Sequence, residues 1–519
     1  NFSINIMTDT ILYSENNYFS INLFKNKKVN NKLKLKCIIA SDNGIEMLQE
    51  NFKNTKIIRI ENFSKSKVNF LENDKKNLLD EANSEIFSKI ESECIKFLDF
   101  VNPNQNKFSL IEARQTFSDN LVFILDFLHY FKPEMIIFTN SPHCFQSHLL
   151  YKVCEIKKIK VIFKREISLP QNYIFQNSIK NAYLKVKINN KKENFETRKE
   201  LSNYIKAILK KDKESINKIF SRLRNHKIIY NRYYLNSYIF FSILRIIHLT
   251  PIIFIKILKD LIISFKNKNK SFLILEDFIK KKNITYNNSK TSKLNMNIEL
   301  LLGDLRKFKL LKYYKKKQTD IELNCKYIYF PLHYQPEATT YPFGGAFIDQ
   351  IKAIRLLSAY FTDCKILIKE HPDTFNISHL AWTKGDYSRN ENFYDQISQI
   401  KNVHLIDLRK NSFDLIDKAY GIATVSGAVG LEGLLRGKHT IVFGYPWYEK
   451  FGEIFKFDRH ERISSDLNKY MKKKISVSKT IKDINLFSEN IFKTDRINNK
   501  DERIVNIFLE SIKFNYENN

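Results

Sequence analysis

The chain has 519 residues with 43% hydrophobic and 13% aromatic content, which is enough for two or three domains with real cores and argues against general disorder. Its net charge of +30, from 86 Lys+Arg against 56 Asp+Glu, calls for an anionic partner: nucleic acid, an anionic membrane or an anionic substrate. Nucleic acid ranks last, because no RNP-type aromatic strand, Cys/His finger or basic region with heptads accompanies the charge.

The chain opens NFSINIMTDTILYSE, with no basic stretch ahead of an apolar core, so no signal peptide is expected. No run of 18 uncharged apolar residues occurs, so no transmembrane helix is expected either. Six cysteines (37, 94, 144, 154, 325 and 364) are scattered without a C-x-x-C pair. That spacing suggests neither a zinc site nor a disulfide framework and fits a reducing, cytoplasmic setting. Between residues 1 and 180, LKCIIA (35–40), KIIRI (56–60), MIIFT (135–139) and KVIFK (160–164) read as buried strands. FSDNLVFILDFLHYF (117–131) reads as a helix, and a second helix runs across HLLYKVCEIKK into the strand at 160. This alternation predicts an α/β domain with a parallel sheet. The loop TNSPHCFQSH (139–148) follows a strand end, where open α/β sheets bind ligands.

Residues 181–315 form a different zone, rich in Lys, Asn and Ile, that reads as a basic and mainly helical insertion. Helix is expected over much of 195–225. The piece at 237–270 is strongly apolar but broken by Arg245, His248, Lys256 and Lys259. It reads either as an interfacial amphipathic segment with a polybasic tail, touching the inner-membrane surface, or as a core helix pair kinked at Pro251.

From 325 to about 445, within a domain placed at 316–480, the pattern is cleanest. Strand KYIYF (326–330) precedes helix AFIDQIKAIRLLSAYF, then strand KILIK (365–369), a helix near 391–400 and strand VHLI (403–406). Ser412 is placed to cap a short helix through Ala419. Strand GIATV (421–425) leads into helix AVGLEGLLRG and strand TIVF (440–443). Strands alternating with helices predict a second Rossmann-like domain, with a helical tail at 481–519. Ten of the twelve glycines fall between Gly344 and Gly452, and 45–302 has none, so this half is where backbone geometry is under demand.

Three strand ends in that domain carry unusual polar chemistry. In PLHYQPEATTYPFGG (331–345), Glu337 could act as nucleophile or general base and His333 as acid or charge stabiliser, with Gln335 beside them. In KEHPDTF (369–375), His371 sits just past a strand end with Pro372 fixing the backbone, beside Lys369; a donor imidazole there suits a phosphate. In ATVSGAVGLEGLLRGK (423–438), the Ser426 hydroxyl and the amides of Gly427, Ala428 and Val429 can bind an anion at a helix N-terminus, and Glu432 could accept from ribose hydroxyls. Gly427 and Gly430 are assigned to close approach of the nucleotide. The turn is neither a P-loop nor G-x-G-x-x-G. No Asp-x-Asp occurs, so a metal-held nucleotide diphosphate is not suggested, and no metal or separate cofactor is expected.

The order YFPLHYQPEATT, IKEHP, ATVSGAVGLEGLLRGKHTIVFGYPWY resembles the bacterial capsular polysaccharide synthesis family, which includes β-Kdo transferases. The resemblance is strong over roughly 325–450 and covers the N-terminal part only in outline. It implies a GT-B-like glycosyltransferase with an acceptor domain at 1–180 and a donor domain at 316–480. It implies transfer of a 3-deoxy-ulosonic or related nonulosonic sugar from a CMP-sugar to an anionic glycan or glycolipid acceptor. Carried over, His371 and Pro372 would contact the CMP phosphate and base region, Ser426 and Gly427 the phosphate, and Glu432 the ribose. Glu337 would be the carboxylate at the reacting centre, with Gln335 and His333 beside it. His143 and Gln146 could face the acceptor. Two alternatives stay open: a GT-B-fold UDP- or GDP-sugar transferase or epimerase, and a non-catalytic glycan-binding or scaffold protein of the capsule machinery.

Overall fold

The computed structural model describes residues 7–42, 44–60, 75–98, 109–167, 172–180, 195–210, 307, 309–335, 337–375, 389–457, 462–493 and 502–517. The expected amphipathic segment at 237–270, and most of the basic insertion around it, lie outside these residues.

The N-terminal sheet contains β1 (Thr8–Ser14), β2 (Leu33–Ala40), β3 (Lys56–Arg59), β4 (Met135–Phe138), β5 (Lys160–Glu166) and β6 (Asn172–Gln176). Its order is β6-β5-β4-β1-β2-β3, parallel except that β6 runs antiparallel to β5. The apolar runs expected as strands fall on β2 to β5. β1 was not expected as a strand. TDTILYS mixes polar Thr and Asp with its apolar residues and offers no uniform run, yet Ile11, Leu12 and Tyr13 are almost fully buried at the sheet centre.

The helix Leu110–Phe131 starts earlier than the apolar periodicity alone indicates, because Ser109 and Glu112 form a capping box. Ser109 Oγ accepts from Glu112 N (3.1 Å), and Glu112 Oε2 accepts from Ser109 N (2.8 Å). It stops at Lys132, which turns left-handed (φ 44°) just ahead of Pro133.

The C-terminal sheet contains β7 (Tyr327–Pro331), β8 (Lys365–Lys369), β9 (Val403–Leu405), β10 (Gly421–Thr424), β11 (His439–Val442) and β12 (Ile454–Lys456). Its order is β12-β11-β10-β7-β8-β9 and every pairing is parallel. Both sheets therefore reverse direction once, between β1 and β4 and between β7 and β10. In doubly wound sheets this reversal opens a crevice at the carboxyl ends, where ligands sit. The expected α/β fold with two Rossmann-like units is what the sheets form. One local expectation changes: Asn411, not Ser412, caps the helix Ser412–Lys418, its side chain accepting from Phe413 N (2.9 Å).

The tail does not stand apart. β13 (Phe492–Lys493) pairs antiparallel with β6 at the edge of the N-terminal sheet. The helix Glu502–Glu517 packs Ile504 and Phe508 into the core made with Phe24, Ile162 and Phe175. Asn515 Nδ2 donates to Val161 O (2.9 Å). The chain thus crosses from the C-terminal sheet back to the first.

Loops of the C-terminal sheet also reach the N-terminal core, where Phe343, Ala338, Tyr341 and Tyr445 join Phe138, Phe145 and Phe163. Arg165 on β5 fastens this contact. Its guanidinium lies 3.5 Å from the Phe343 ring centroid and donates to Tyr445 O (2.8 Å) and to Gln176 Oε1 (3.2 Å).

Candidate active site

The crevice between β7 and β10 is built around His333. The residue follows β7 directly and its side chain is buried at 8% exposure. Nε2 lies 3.0 Å from Thr424 Oγ1 and 3.3 Å from the Ser426 amide, which donates to it. Thr424 Oγ1 accepts from Gly427 N (3.1 Å), so its own proton is directed to Nε2. The hydrogen-bond network therefore assigns the ring proton to Nδ1. Burial, reinforced by the charges of His371 and Arg389, pushes the imidazole pKa down to about 3. A neutral ring with an occupied Nε2 is a poor acid and carries no positive charge. In the structure His333 shapes the turn after β10.

That turn is fixed from three directions. The Ser426 hydroxyl donates to Thr339 O, tying it to the loop that carries Glu337. Tyr448 OH donates to Gly427 O. A Cβ at Gly427 would stand 2.8 Å from His333 Cε1, and one at Gly430 would overlap the Tyr448 hydroxyl. Packing within the protein therefore already requires a glycine at both positions. Ala428 closes the turn ahead of the helix Val429–Leu435, in whose first turn Gly430 N donates to Gly427 O (3.3 Å) and Glu432 N to Ala428 O (3.0 Å).

Glu337 is half-buried, and its Oε2 accepts from Thr339 Oγ1 (3.3 Å). Its carbonyl accepts from the amides of Thr340 and Tyr341 (both 2.9 Å) and from the Thr340 hydroxyl (3.0 Å), winding the loop into a tight turn. Gln335 is fully used: Nε2 donates to Ile348 O (3.0 Å) and Oε1 accepts from Arg389 NH1 (2.7 Å).

Arg389 is a residue that the sequence did not single out. Its Nε donates to Glu370 Oε2 (2.7 Å) and its NH2 to His333 O (2.9 Å), with the Arg and Glu side chains 1% and 0% exposed. Tyr394 OH donates to the same Glu370 oxygen (2.9 Å), while Glu370 Oε1 accepts from His371 N (2.8 Å) and from Thr374 Oγ1 (3.2 Å). One buried ion pair therefore holds the strand-end loops carrying His333, Gln335 and His371. Nothing local marks Arg389 in the sequence; its partners are 19 to 56 positions away.

His371 is half-buried, its ring centroid 5.7 Å from that of Tyr334, and Pro372 opens the 3-10 turn Pro372–Phe375. Lys369, in contrast, has its ammonium engaged by the protein itself. Nζ donates to Lys410 O (2.8 Å) and Ser412 Oγ (2.7 Å), and burial lowers its pKa to about 8. Glu432 lies on the helix Val429–Leu435. Burial raises its carboxyl to about 7 despite the neighbouring Arg436. Hydrogen bonds therefore link the loops that carry Glu337, His333, Gln335 and His371 to one another and to the Ser426–Ala428 turn. Lys369 is left out of the group.

His143 and Gln146 stand at the other crevice, after β4. His143 Nδ1 donates to Ser141 O at 2.6 Å and lies 4.0 Å from Glu15 Oε2. Burial opposes its charge, but Cys144, Glu15 and the Ser141 carbonyl raise its pKa to about 10. Gln146 is half-buried at the start of the helix Phe145–Lys157.

Comparison with known proteins adds a family to this geometry. Residues 342–475 match the family described as capsule polysaccharide biosynthesis protein. The capsule polysaccharide modification protein LipA of Neisseria meningitidis serogroup A is 30% identical over 100 residues, and that of serogroup B is 29% identical over 99. Those stretches cover 19% of this chain and only 12% of each relative. Among solved structures, the β-Kdo 2,7 transferase of Thermosulfurimonas dismutans KpsC aligns over 97% of this chain and 99% of its own, at 10% identity and a TM-score of 0.30. The UDP-GlcNAc 2-epimerase of N. meningitidis aligns over 92% and 97%, at 13% identity and a TM-score of 0.22. At such scores neither superposition fixes residue equivalence. Residues 342–475, which include most of the C-terminal sheet, are thus similar to the capsule polysaccharide biosynthesis family.

Proposed function

We propose that this chain is a glycosyltransferase of capsule or surface-polysaccharide synthesis, which moves a 3-deoxy-ulosonic or related nonulosonic sugar from a CMP-sugar to an anionic glycan or glycolipid. The observation that supports the reading is the hydrogen bond from the 426–428 turn to the Glu337 loop at the reversal point of a sheet, within and beside the matched segment, with His371 on the neighbouring strand end.

In this reading the amides of Ala428 and Val429, with His371, take the CMP phosphate, and Glu432 accepts from the ribose. The turn needs no metal for this, since its amides already present partial positive charge. Glu337 faces the anomeric carbon as nucleophile or base, while the donor's own leaving group departs readily. His333, Gln335 and Arg389 act by positioning these loops. The basic surface suits the carboxylates of donor and acceptor.

The test is a donor screen on the full chain. CMP-Kdo or CMP-sialate should release CMP in the presence of acceptor glycan, and UDP-sugars should be inert. Glu337→Gln should slow release by roughly 10²–10⁴-fold while CMP still binds. Turnover or epimerisation of a UDP-sugar would replace this reading with the alternative enzyme. Glycan binding with no turnover of any donor would make the chain a binding protein.

A further inference from the structure

The reversal point of the N-terminal sheet holds a second constellation, of which the transferase reading uses only His143, as a residue facing the acceptor. Glu15 follows β1 directly and β4 leads into Thr139–Cys144, so the two strands on either side of the crevice each deliver donor atoms to it. One carboxylate oxygen of Glu15, one ring nitrogen of His143 and the Cys144 sulfur all lie within 4.8 Å of one another. We propose that Glu15, His143 and Cys144 bind a zinc-class divalent transition-metal ion, leaving a coordination position open at the carboxyl edge of the sheet.

Three features support a built site over a chance meeting. The donor set is O, N and S, which suits zinc and cobalt and not magnesium or calcium. Donors around a tetrahedral zinc stand roughly 3.4 Å apart for bonds of about 2.0–2.3 Å. Donor atoms that all lie within 4.8 Å of one another therefore close onto one ion by side-chain rotation. The supporting bonds are also in place. Asn140 Nδ2 donates to Glu15 Oε2 (3.0 Å), and Thr139 Oγ1 accepts from the amides of Glu15 (2.9 Å) and Asn16 (3.1 Å). Ser141 O orients the His143 ring, and Ser147 Oγ, which accepts from Cys144 N (3.2 Å) and donates to Cys144 O (3.1 Å), fixes the backbone under the sulfur. Such outer bonds hold metal ligands in register. Finally, Cys144 is the N-cap residue of the helix Phe145–Lys157, so its position is set by a rigid element.

No sequence spacing announces the site, because Glu15 and His143 are 128 positions apart and become neighbours only when β1 pairs with β4. The inference is independent of which donor, if any, the other crevice takes.

Metal-stripped full chain titrated with Co²⁺ tests it. One equivalent should bind and give thiolate-to-cobalt charge-transfer absorption, and Zn²⁺ should displace it. Cys144→Ser should abolish that absorption, whereas Cys325→Ser, changing another half-exposed thiol, should leave it intact. Glu15→Gln should weaken Co²⁺ binding by about tenfold or more. Stoichiometric Zn²⁺ should also shield Cys144 of the unaltered chain from alkylation, read by peptide mapping, which keeps the test independent of whether variants fold. Absence of a stoichiometric cobalt band, a band that survives Cys144→Ser, or equal alkylation of Cys144 with and without zinc would each overturn the proposal.

Discussion

At neutral pH the His333 imidazole is uncharged and its Nε2 is filled by Thr424 and Ser426, so its contribution is geometric. Its pKa is depressed in the folded chain. The associated stability is therefore present above 6.5 and lost as pH falls through about 3. His333→Gln should flatten this acid limb in thermal melts taken across that range. Glu432 has the opposite sign. Its folded pKa is raised from 4.5 to about 7, so its contribution is present below 4.5 and lost as pH rises through 7. Glu432→Gln should therefore be more stable than the unaltered chain at pH 8, by about 1–3 kcal/mol in urea melts. If Glu432 accepts from ribose, CMP affinity in the unaltered chain should also fall as pH drops below 7, and the variant should lose that dependence. Gly427→Ala tests the packing beneath the turn. A methyl 2.8 Å from His333 Cε1 must displace the ring, at a cost of about 1–3 kcal/mol.

At the scale of elements, the strand-end loops are held less by their own turn chemistry than by Arg389 and Glu370. Both side chains are out of water, so the Coulomb attraction between them first has to offset their desolvation. Removing one partner is worse than never having had the pair. Arg389→Met should cost about 3–5 kcal/mol by chemical denaturation, and adding Glu370→Gln should recover part of it. A simple sum of the two single effects would show that the pair is not coupled. These loops were legible in the sequence as clusters of Pro, Gly, Glu and His after buried strands, and their strands were legible from runs such as YIYF and ILIK. Which side chains face a ligand and which are consumed in struts was not. Gln335, Lys369 and the Ser426 hydroxyl look alike as polar residues in a loop, but each is satisfied by a partner at least 13 positions away.

At the scale of the molecule, the chain closes on itself. The helix Glu502–Glu517 completes the N-terminal core, with the ring centroid of Phe508 6.3 Å from that of Phe24 and 5.2 Å from that of Phe175. Phe508→Ala should cost about 3–5 kcal/mol. Hydrogen exchange should show the loss in β4 and β5 before β7 and β8; equal loss in both sheets would mean the two units unfold as one. The sequence by itself determined two α/β units, most of their strands and the segment that resembles the capsule family, because apolar periodicity and turn residues are local signals. It determined that Glu337, His371 and the 426–428 turn end up on strand ends. Only the tertiary structure decided that β1 is the central strand of its sheet, that the tail belongs to the first core, and that Arg389 and Tyr448 brace the crevice. It alone brought Glu15 to His143 and Cys144. These are contacts between residues far apart in the chain, chosen by which faces bury together and which buried charges find partners, and no local pattern encodes that choice.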